Sequence, residues 1–412
     1  MKKICSRTYL LPFVLITCLF FLWGFARAIL DVLNKHFQDT LDVDITESAW
    51  IQVVTFMGYF LMAVPAGMFI SRFGYRRGVV FGLSLFAAGA FLFVPCSQVG
   101  TFDGFLLCLF IIACGLAFLE TSANPYVTLL GSPTTATSRL NLSQSFNGMG
   151  SFLAPLVVGR FLFDDQTNGQ DADISFPYLV MGVVVVVIAL IFSFVKLPDN
   201  SPQDAADNTL EKESFGHSFR ALMCNPLFLL GLSALLCYEI AEISINSYFV
   251  NYTTNMGWIS ASTASYILSL ALVVFMVGRF LGSALMLVMR AERMLLICAS
   301  GSVVCMACLL VFGNMGGSAG APAWVGTISL VFLVLNYLFE SIMFPTIFSM
   351  ALKGIGNHTK TASSLLMMTP VGGCGFFLVA WMAKQGAPTM PFVIPLAAFL
   401  VVWIFAKLRL KH

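Results

Sequence analysis

The sequence predicts an all-α membrane protein with twelve transmembrane helices in two six-helix halves. Three observations carry that prediction. Of 412 residues, 58% are hydrophobic and only 10% charged, against about 25% charged in a soluble domain. The apolar residues fall into twelve stretches, each near the ~20 residues that a helix needs to cross a bilayer core. Between the sixth and seventh stretch lies "LPDNSPQDAADNTLEKESFGHSFR", polar, charged and proline-containing, which reads as a flexible linker.

Cut at polar and turn-rich breaks, the expected spans are 9–33, 47–71, 78–97, 104–131, 139–163, 175–197, 225–253, 260–289, 294–313, 321–351, 359–385 and 390–409. The halves are then 1–197 and 225–412, with 198–224 as a cytoplasmic linker. The first run is read as a retained helix, since no small-residue cleavage site follows it. Lys and Arg placement sets the orientation. Of the 22 Lys and Arg residues, 17 fall on one side, 3 on the other, and Arg27 and Arg279 lie within spans. Both termini are therefore expected in the cytoplasm, with the chain in a cytoplasmic (inner) membrane. The cysteines sit mostly in apolar runs and read as small core residues, not as a disulfide framework. No CxxC…CxxC pattern, HExxH or P-loop is present, so metal chemistry, a cofactor and ATP hydrolysis have no support in the sequence. An enzyme is not expected, and nor is a nucleic-acid partner.

Taken in order, the spans carry few polar residues, and those few are the candidates. Span one ends in "ARAILD". Arg27 and Asp31 are four residues apart and share a helix face, so Arg27 is a candidate partner for Asp31. Spans two and three are joined by "GMFISRFGYRRG", where Gly74 permits a tight turn and Arg72, Arg76 and Arg77 face the cytoplasm. That loop is either a plain topology signal or a gate. Its counterpart after span eight holds Arg279, Arg290 and Arg293. Span four contains Glu120, deep in an uncharged run, followed by Asn124, Pro125 and Tyr126. A carboxylate at a helix centre costs a few kcal/mol on insertion scales, so it faces a wet cavity, finds a partner or takes a proton. Pro125 removes the helical donor of the Thr121 carbonyl and leaves an acceptor beside the acid.

Span five opens "SRLNLSQSFNGMG", with Asn141, Gln144 and Asn147 at three-residue steps. Amides donate and accept, as hydroxyl-rich ligands require. Helix–helix adhesion is the plain alternative, at even odds for each residue alone. Span seven carries Glu239 and Glu242, three residues apart, and then Asn246. Span ten carries Asn336 and Glu340, with Arg279 and Lys353 as candidate partners for the acid. Asn251 and Gln385 are further polar candidates, and Trp23, Tyr59, Tyr126, Phe146, Tyr238 and Trp381 are candidate stacking aromatics.

A repeat is visible across the linker. Glu120 and Pro125 recur as Glu340 and Pro345, an offset of 220 residues that carries the fourth span of one half onto the fourth of the other. Two such halves, related by an axis along the membrane normal, describe the parallel repeat of major facilitator transporters. In that fold, substrate binds between the halves and is exposed alternately to the two sides.

The segments "FFLWGFARAILD", "SRFGYRRG", "FLETSANPYV", "SRLNLSQSFN" and "FPTIFSMALKGIGNHTK" resemble the fucose:proton symporter family of that superfamily, over most of the chain. The resemblance implies a secondary transporter that imports a monosaccharide with a proton. It implies Asp31 and Glu120 as proton-linked carboxylates and Gln144 as a sugar ligand. Asn141, Asn147, Asn124, Tyr126, Glu242 and Asn246 complete the candidate substrate set, and Arg72, Arg76, Arg77 and Arg279 the gating set. Three features depart from the fucose pattern. Ser71 replaces the usual acid of the cytoplasmic loop, Arg27 stands where asparagines precede the first-helix acid, and Glu242 matches the glucose/galactose branch. The expected partners are a monosaccharide, protons and the lipid bilayer, for a chain acting as a monomer. A sugar uniporter and a proton-coupled exporter of amphipathic molecules are the alternatives.

Overall fold

In hydrocarbon every backbone polar group must be satisfied within its own segment, so long apolar runs fold as helices. The computed structural model of the chain describes residues 7–41, 50–99, 101–163, 175–194, 215–316, 323–383 and 388–411. In these residues the regular structure is helical. The helices are α1 (Arg7–Leu41), α2 (Trp50–Phe73), α3 (Tyr75–Val99), α4 (Phe102–Leu129), α5 (Ala136–Phe163), α6 (Ser175–Phe194), α7 (Phe215–Met223), α8 (Pro226–Asn255), α9 (Ala261–Leu285), α10 (Ala291–Gly316), α11 (Ala323–Glu340), α12 (Met343–Leu352), α13 (Thr359–Leu366), α14 (Phe376–Ala383) and α15 (Val393–Lys411).

Local chemistry explains several boundaries. Gly74 takes φ 86°, a left-handed turn that separates α2 from α3. Asn225 caps α8, its Oδ1 accepting from the amides of Leu227 and Phe228, with Pro226 at the first helical position. The short helix α7 lies inside the expected linker. Two expected spans are broken. The tenth is α11 plus α12, interrupted at Ser341–Ile342 ahead of Pro345, whose ring and missing N–H disfavour a continuous helix. The eleventh is α13, a 3-10 turn at Thr369–Gly375, and α14; "TPVGGCG" combines proline and three glycines, the poorest helix formers. Counting α11–α12 as one, nine helices among the described residues are long and apolar enough to cross a bilayer. The other three expected spans coincide with α5, with the apolar stretch Tyr178–Phe194 of α6 and with α13–α14.

The packing repeats itself. Among α1–α6, α4 packs on α2 and α3, α3 on α6, and α1 on α5. Among the later helices, α11 packs on α9 and α10, α10 on α15, and α8 on the 3-10 turn and α14. The α1–α5 contact is very close. A Cβ on Gly24 would lie 2.0 Å from the Asn147 carbonyl oxygen, and one on Gly150 would lie 2.1 Å from that of Phe21. Small residues of this kind let helix backbones approach where lipid supplies no hydrophobic drive.

The two groups meet along a seam. It joins the C-terminal part of α4 and the N-terminal part of α5 to the C-terminal part of α9, to α12 and to α13, and α2 also packs on α13.

Candidate functional site

Glu120 sits in the middle of α4 with 2% of its surface exposed. Its partner is Tyr59 of α2, whose hydroxyl donates to Glu120 Oε1 at 2.5 Å. Arg27 of α1, in contrast, is exposed, and is within electrostatic reach of Tyr59, Glu120, Glu239 and Glu242. One guanidinium therefore acts on acids from both helix groups. Glu239 is buried and Glu242, one turn on, is half-buried. The helix at Asp31 is described, but its side chain lies outside the described residues, as do those of Lys384 and Gln385.

The candidate amides separate into three locations. Asn124 and Gln144 bond each other, Gln144 Nε2 donating to Asn124 Oδ1 at 3.1 Å, and Asn124 Nδ2 reaches the Met367 sulfur at 3.4 Å. Asn141 Nδ2 donates to Thr346 Oγ1 at 3.2 Å across the seam. These three are buried polar groups on the seam. Asn147 instead donates to the Phe20 carbonyl at 3.1 Å, joining α5 to α1 beside Ser151, which donates to Gly24 O at 3.0 Å. Asn246 accepts from the Tyr337 hydroxyl at 2.7 Å within the later group. Tyr126 is 1% exposed and packs on Tyr75, with ring centroids 5.6 Å apart, away from Tyr59 and Glu120. Trp381 is 59% exposed on the outside.

Glu340 is buried, and Asn336 Nδ2 donates to its Oε2 at 2.7 Å. Neither cation suggested by the sequence forms an ion pair with it. Lys353 bridges Glu292 at 2.7 Å. Arg279 donates from Nε to the Ser341 carbonyl at 2.8 Å and from Nη1 to the Gln144 carbonyl at 3.1 Å. The lesson is backbone chemistry: Pro345 leaves Ser341 O without its helical donor, and a guanidinium takes it.

The same holds in α4. Thr121 O, released by Pro125, accepts from Ser363 Oγ of α13 at 3.2 Å. The acceptor that the sequence leaves beside Glu120 is thus occupied by a side chain across the seam. Thr137 and Ser349 bond at 2.8 Å, and Ser138 and Ser283 donate reciprocally to each other's carbonyls at 2.8 and 2.9 Å.

The loop arginines do different work. Arg76 donates to the carbonyls of Phe192 and Ser193 at the end of α6, inside one group. Arg72 and Arg77 are exposed, and Arg72 lies over the Phe73 ring at 5.5 Å. Arg76 and Arg77 also line an outward groove of about 710 Å³ with Phe69, Phe73 and Phe81, remote from the acids. Of the four candidate gating arginines, Arg279 is hydrogen-bonded across the seam, to Gln144 O.

Two residues have roles that the sequence did not assign them. Tyr59, expected as a candidate stacking aromatic, holds Glu120 by its hydroxyl. Arg139, counted only as a cytoplasmic charge, is wholly buried and gathers the carbonyls of Val127, Thr128 and Ser132 with the Thr135 hydroxyl at 2.7–3.1 Å. It closes the C-terminal end of α4, where helix carbonyls lack partners. Its position 12 residues beyond Val127, just past a proline-containing turn, was the available signal.

A family model described as Major Facilitator Superfamily matches residues 16–377. The L-fucose-proton symporter of Haemophilus influenzae is 32% identical over 434 residues, covering 98% of this chain and 97% of that protein. The glucose/galactose transporter of Brucella abortus biovar 1 is 36% identical over 375 residues, covering 89% of this chain and 86% of the relative. Among solved structures, the transporter FucP in the outward conformation superposes with a TM-score of 0.84 at 30% identity, covering 98% of this chain and 99% of that one.

Proposed function

We propose that this chain, which belongs to the Major Facilitator Superfamily, imports a monosaccharide together with a proton. The observation that carries the reading is Glu120, an acid in mid-helix whose partner is a neutral tyrosine at 2.5 Å. A carboxylate held so deep favours its neutral form, which suits a group that loads a proton before the groups rock. Similarity over nearly the whole length to an L-fucose-proton symporter and a glucose/galactose transporter supports a fucose-like or hexose cargo. The chain crosses an inner membrane twelve times as a monomer, with both termini cytoplasmic and residues 198–224 linking the halves 1–197 and 225–412. The seam of α4, α5, α9, α12 and α13 then lies on the cytoplasmic side.

In the cycle, Glu120 and Asp31 take protons from outside. Sugar enters between the groups, beside Arg27, Glu242 and Asn246. Rocking then parts the seam, releasing Asn141 from Thr346 and Asn124 from Met367, so that these two amides and Gln144 hold the sugar on the inward path. Asn147 keeps α1 on α5 throughout, and Tyr126 steadies the end of α4. Arg279 is the gating residue that the seam itself engages.

The test is uptake into proteoliposomes, with a panel of hexoses and deoxyhexoses and an imposed pH difference. Wild type accumulates one or more of these sugars only when the outside is acid. Glu120→Gln loses accumulation by at least about tenfold for each pH unit imposed, because one proton no longer moves, while counterflow of labelled sugar persists. Accumulation by the variant equal to wild type refutes the role of Glu120, and wild-type uptake indifferent to pH makes the chain a uniporter.

A further inference from the structure

Proton symport, as proposed above, assigns work to the acids of α1 and α4. It leaves the buried polar cluster of the later group without a task. Three of its atoms have no hydrogen-bond partner among the described residues: Glu340 Oε1, Asn336 Oδ1 and the Tyr238 hydroxyl. Glu340 is 0% exposed. The groups around it are Glu242 and Tyr238 on α8, Arg279 on α9, Cys305 on α10, and Asn336 and Tyr337 on its own helix. Arg279 is the single cation among them. Its Nε is fixed to the carbonyl of Ser341, the residue next to Glu340, while Nη1 is spent on Gln144 O of the opposite group.

We propose that Glu340 is a further proton-binding site, discharged by Arg279 when the seam opens. While the seam is closed, the guanidinium is committed to two carbonyls, and a buried carboxyl with no cation on it stays protonated. Arg279 and Glu340 lie within the same packed group, where Gly278 is in close contact with Ser341, so they travel together when the groups rock. Gln144 does not travel with them. Parting the seam removes an acceptor from Nη1, and the freed arm can turn to Glu340, whose neighbour Ser341 already holds Nε. The O–H bond of Glu340 then breaks, its proton leaves to cytoplasmic water, and the carboxylate pairs with the guanidinium. Closing the seam restores Gln144 O to Arg279, and the Glu340 carboxylate, having lost its cation, takes a proton from the outside water and re-forms its O–H bond. The Glu340 proton is thereby tied to the step that opens the cytoplasmic side.

The test is the steady-state accumulation ratio in proteoliposomes with the membrane potential clamped at zero. This ratio is a thermodynamic quantity that gate kinetics do not alter. Glu340→Gln is expected still to accumulate sugar under an acid-outside gradient, but with the ratio reduced about tenfold for each pH unit imposed, since one proton fewer moves per sugar. A ratio equal to wild type overturns the proposal, because the acid then keeps its proton throughout. If the glutamine variant does not assemble, Arg279→Gln reads the same quantity: without the guanidinium Glu340 never discharges, and the ratio falls by the same factor. An unchanged ratio there also overturns it. Wild type that ignores the pH gradient refutes symport itself, whereas wild-type accumulation with unchanged variants refutes only the role of Glu340.

Discussion

The two copies of the Glu-x-x-x-x-Pro pattern, in α4 and across α11–α12, begin from the same covalent fact and solve it differently. In each, proline strips one carbonyl of its helical donor, Thr121 in the first copy and Ser341 in the second. α4 stays a continuous helix, and a neutral serine, Ser363, supplies the missing bond from the opposite group. In the second copy the helix breaks, and a cation of its own group takes the carbonyl while reaching across the seam. The acids differ accordingly. Position 59 is tyrosine and binds Glu120; position 279, at the same offset of 220, is arginine and spends itself on backbone. The two corresponding positions thus serve different acceptors, Tyr59 the carboxylate of Glu120 and Arg279 the proline-released carbonyl of Ser341. One half holds its acid with a hydroxyl, and the other holds the seam with a guanidinium.

Arg279→Ala attacks that asymmetry where it is strongest. It deletes two hydrogen bonds from a charged donor, worth about 1.5–3 kcal/mol each when intact, and leaves Ser341 O without a donor, while Gln144 O keeps the helical amide of α5. One of the two bonds crosses the seam, so the closed population should fall by more than about tenfold. Spin labels at Thr134 and Asn357, both exposed at the seam's end, should report a longer distance distribution. An unchanged distribution would mean that the serine and amide bonds hold the seam alone.

Pro345→Ala asks whether the break belongs to the proline. Alanine restores an N–H to a helix that can then run from α11 into α12, and that amide competes with Arg279 for Ser341 O. The expected loss is about the ~1 kcal/mol of one hydrogen bond, a shift of roughly fivefold, seen with the same labels and in the same direction as Arg279→Ala. A shift toward the closed form would show that the break is set by packing on α8 and α9 instead.

How much of this was legible follows from the range of each interaction. The helices were, because apolar length is a local property and the bilayer admits few alternatives. Glu120 was, because an isolated acid in an oily run stands out against its neighbours, and the recurrence at Glu340 was countable. Their partners were not. Tyr59 lies 61 residues before Glu120 and Ser363 lies 242 beyond Thr121, and neither residue is rare or periodic. Nor did the sequence separate Asn147, a bond between α1 and α5, from Asn141 and Gln144 on the seam: three amides at one spacing met two different surroundings. The break at Ser341 was hidden as well, since Pro125 and Pro345 read alike and only the neighbours distinguish them.

Pro125→Ala is the matching experiment in the first copy, with the smallest effect expected. Here the helix is already continuous and Thr121 O already has a donor in Ser363. The restored amide therefore adds a second bond to an oxygen that can accept two, without ending the first. Its gain is below the ~1 kcal/mol of a fresh hydrogen bond, and the thermal midpoint in detergent should move by no more than about 2 °C, with the label distance unchanged. A large stabilisation would mean that Pro125 strains α4 after all. A longer label distance would mean that Thr121 O, once given its own amide, lets Ser363 go. In that event the seam would depend on both proline-released carbonyls, and the two copies would share the work of the gate that the present geometry gives mainly to Arg279.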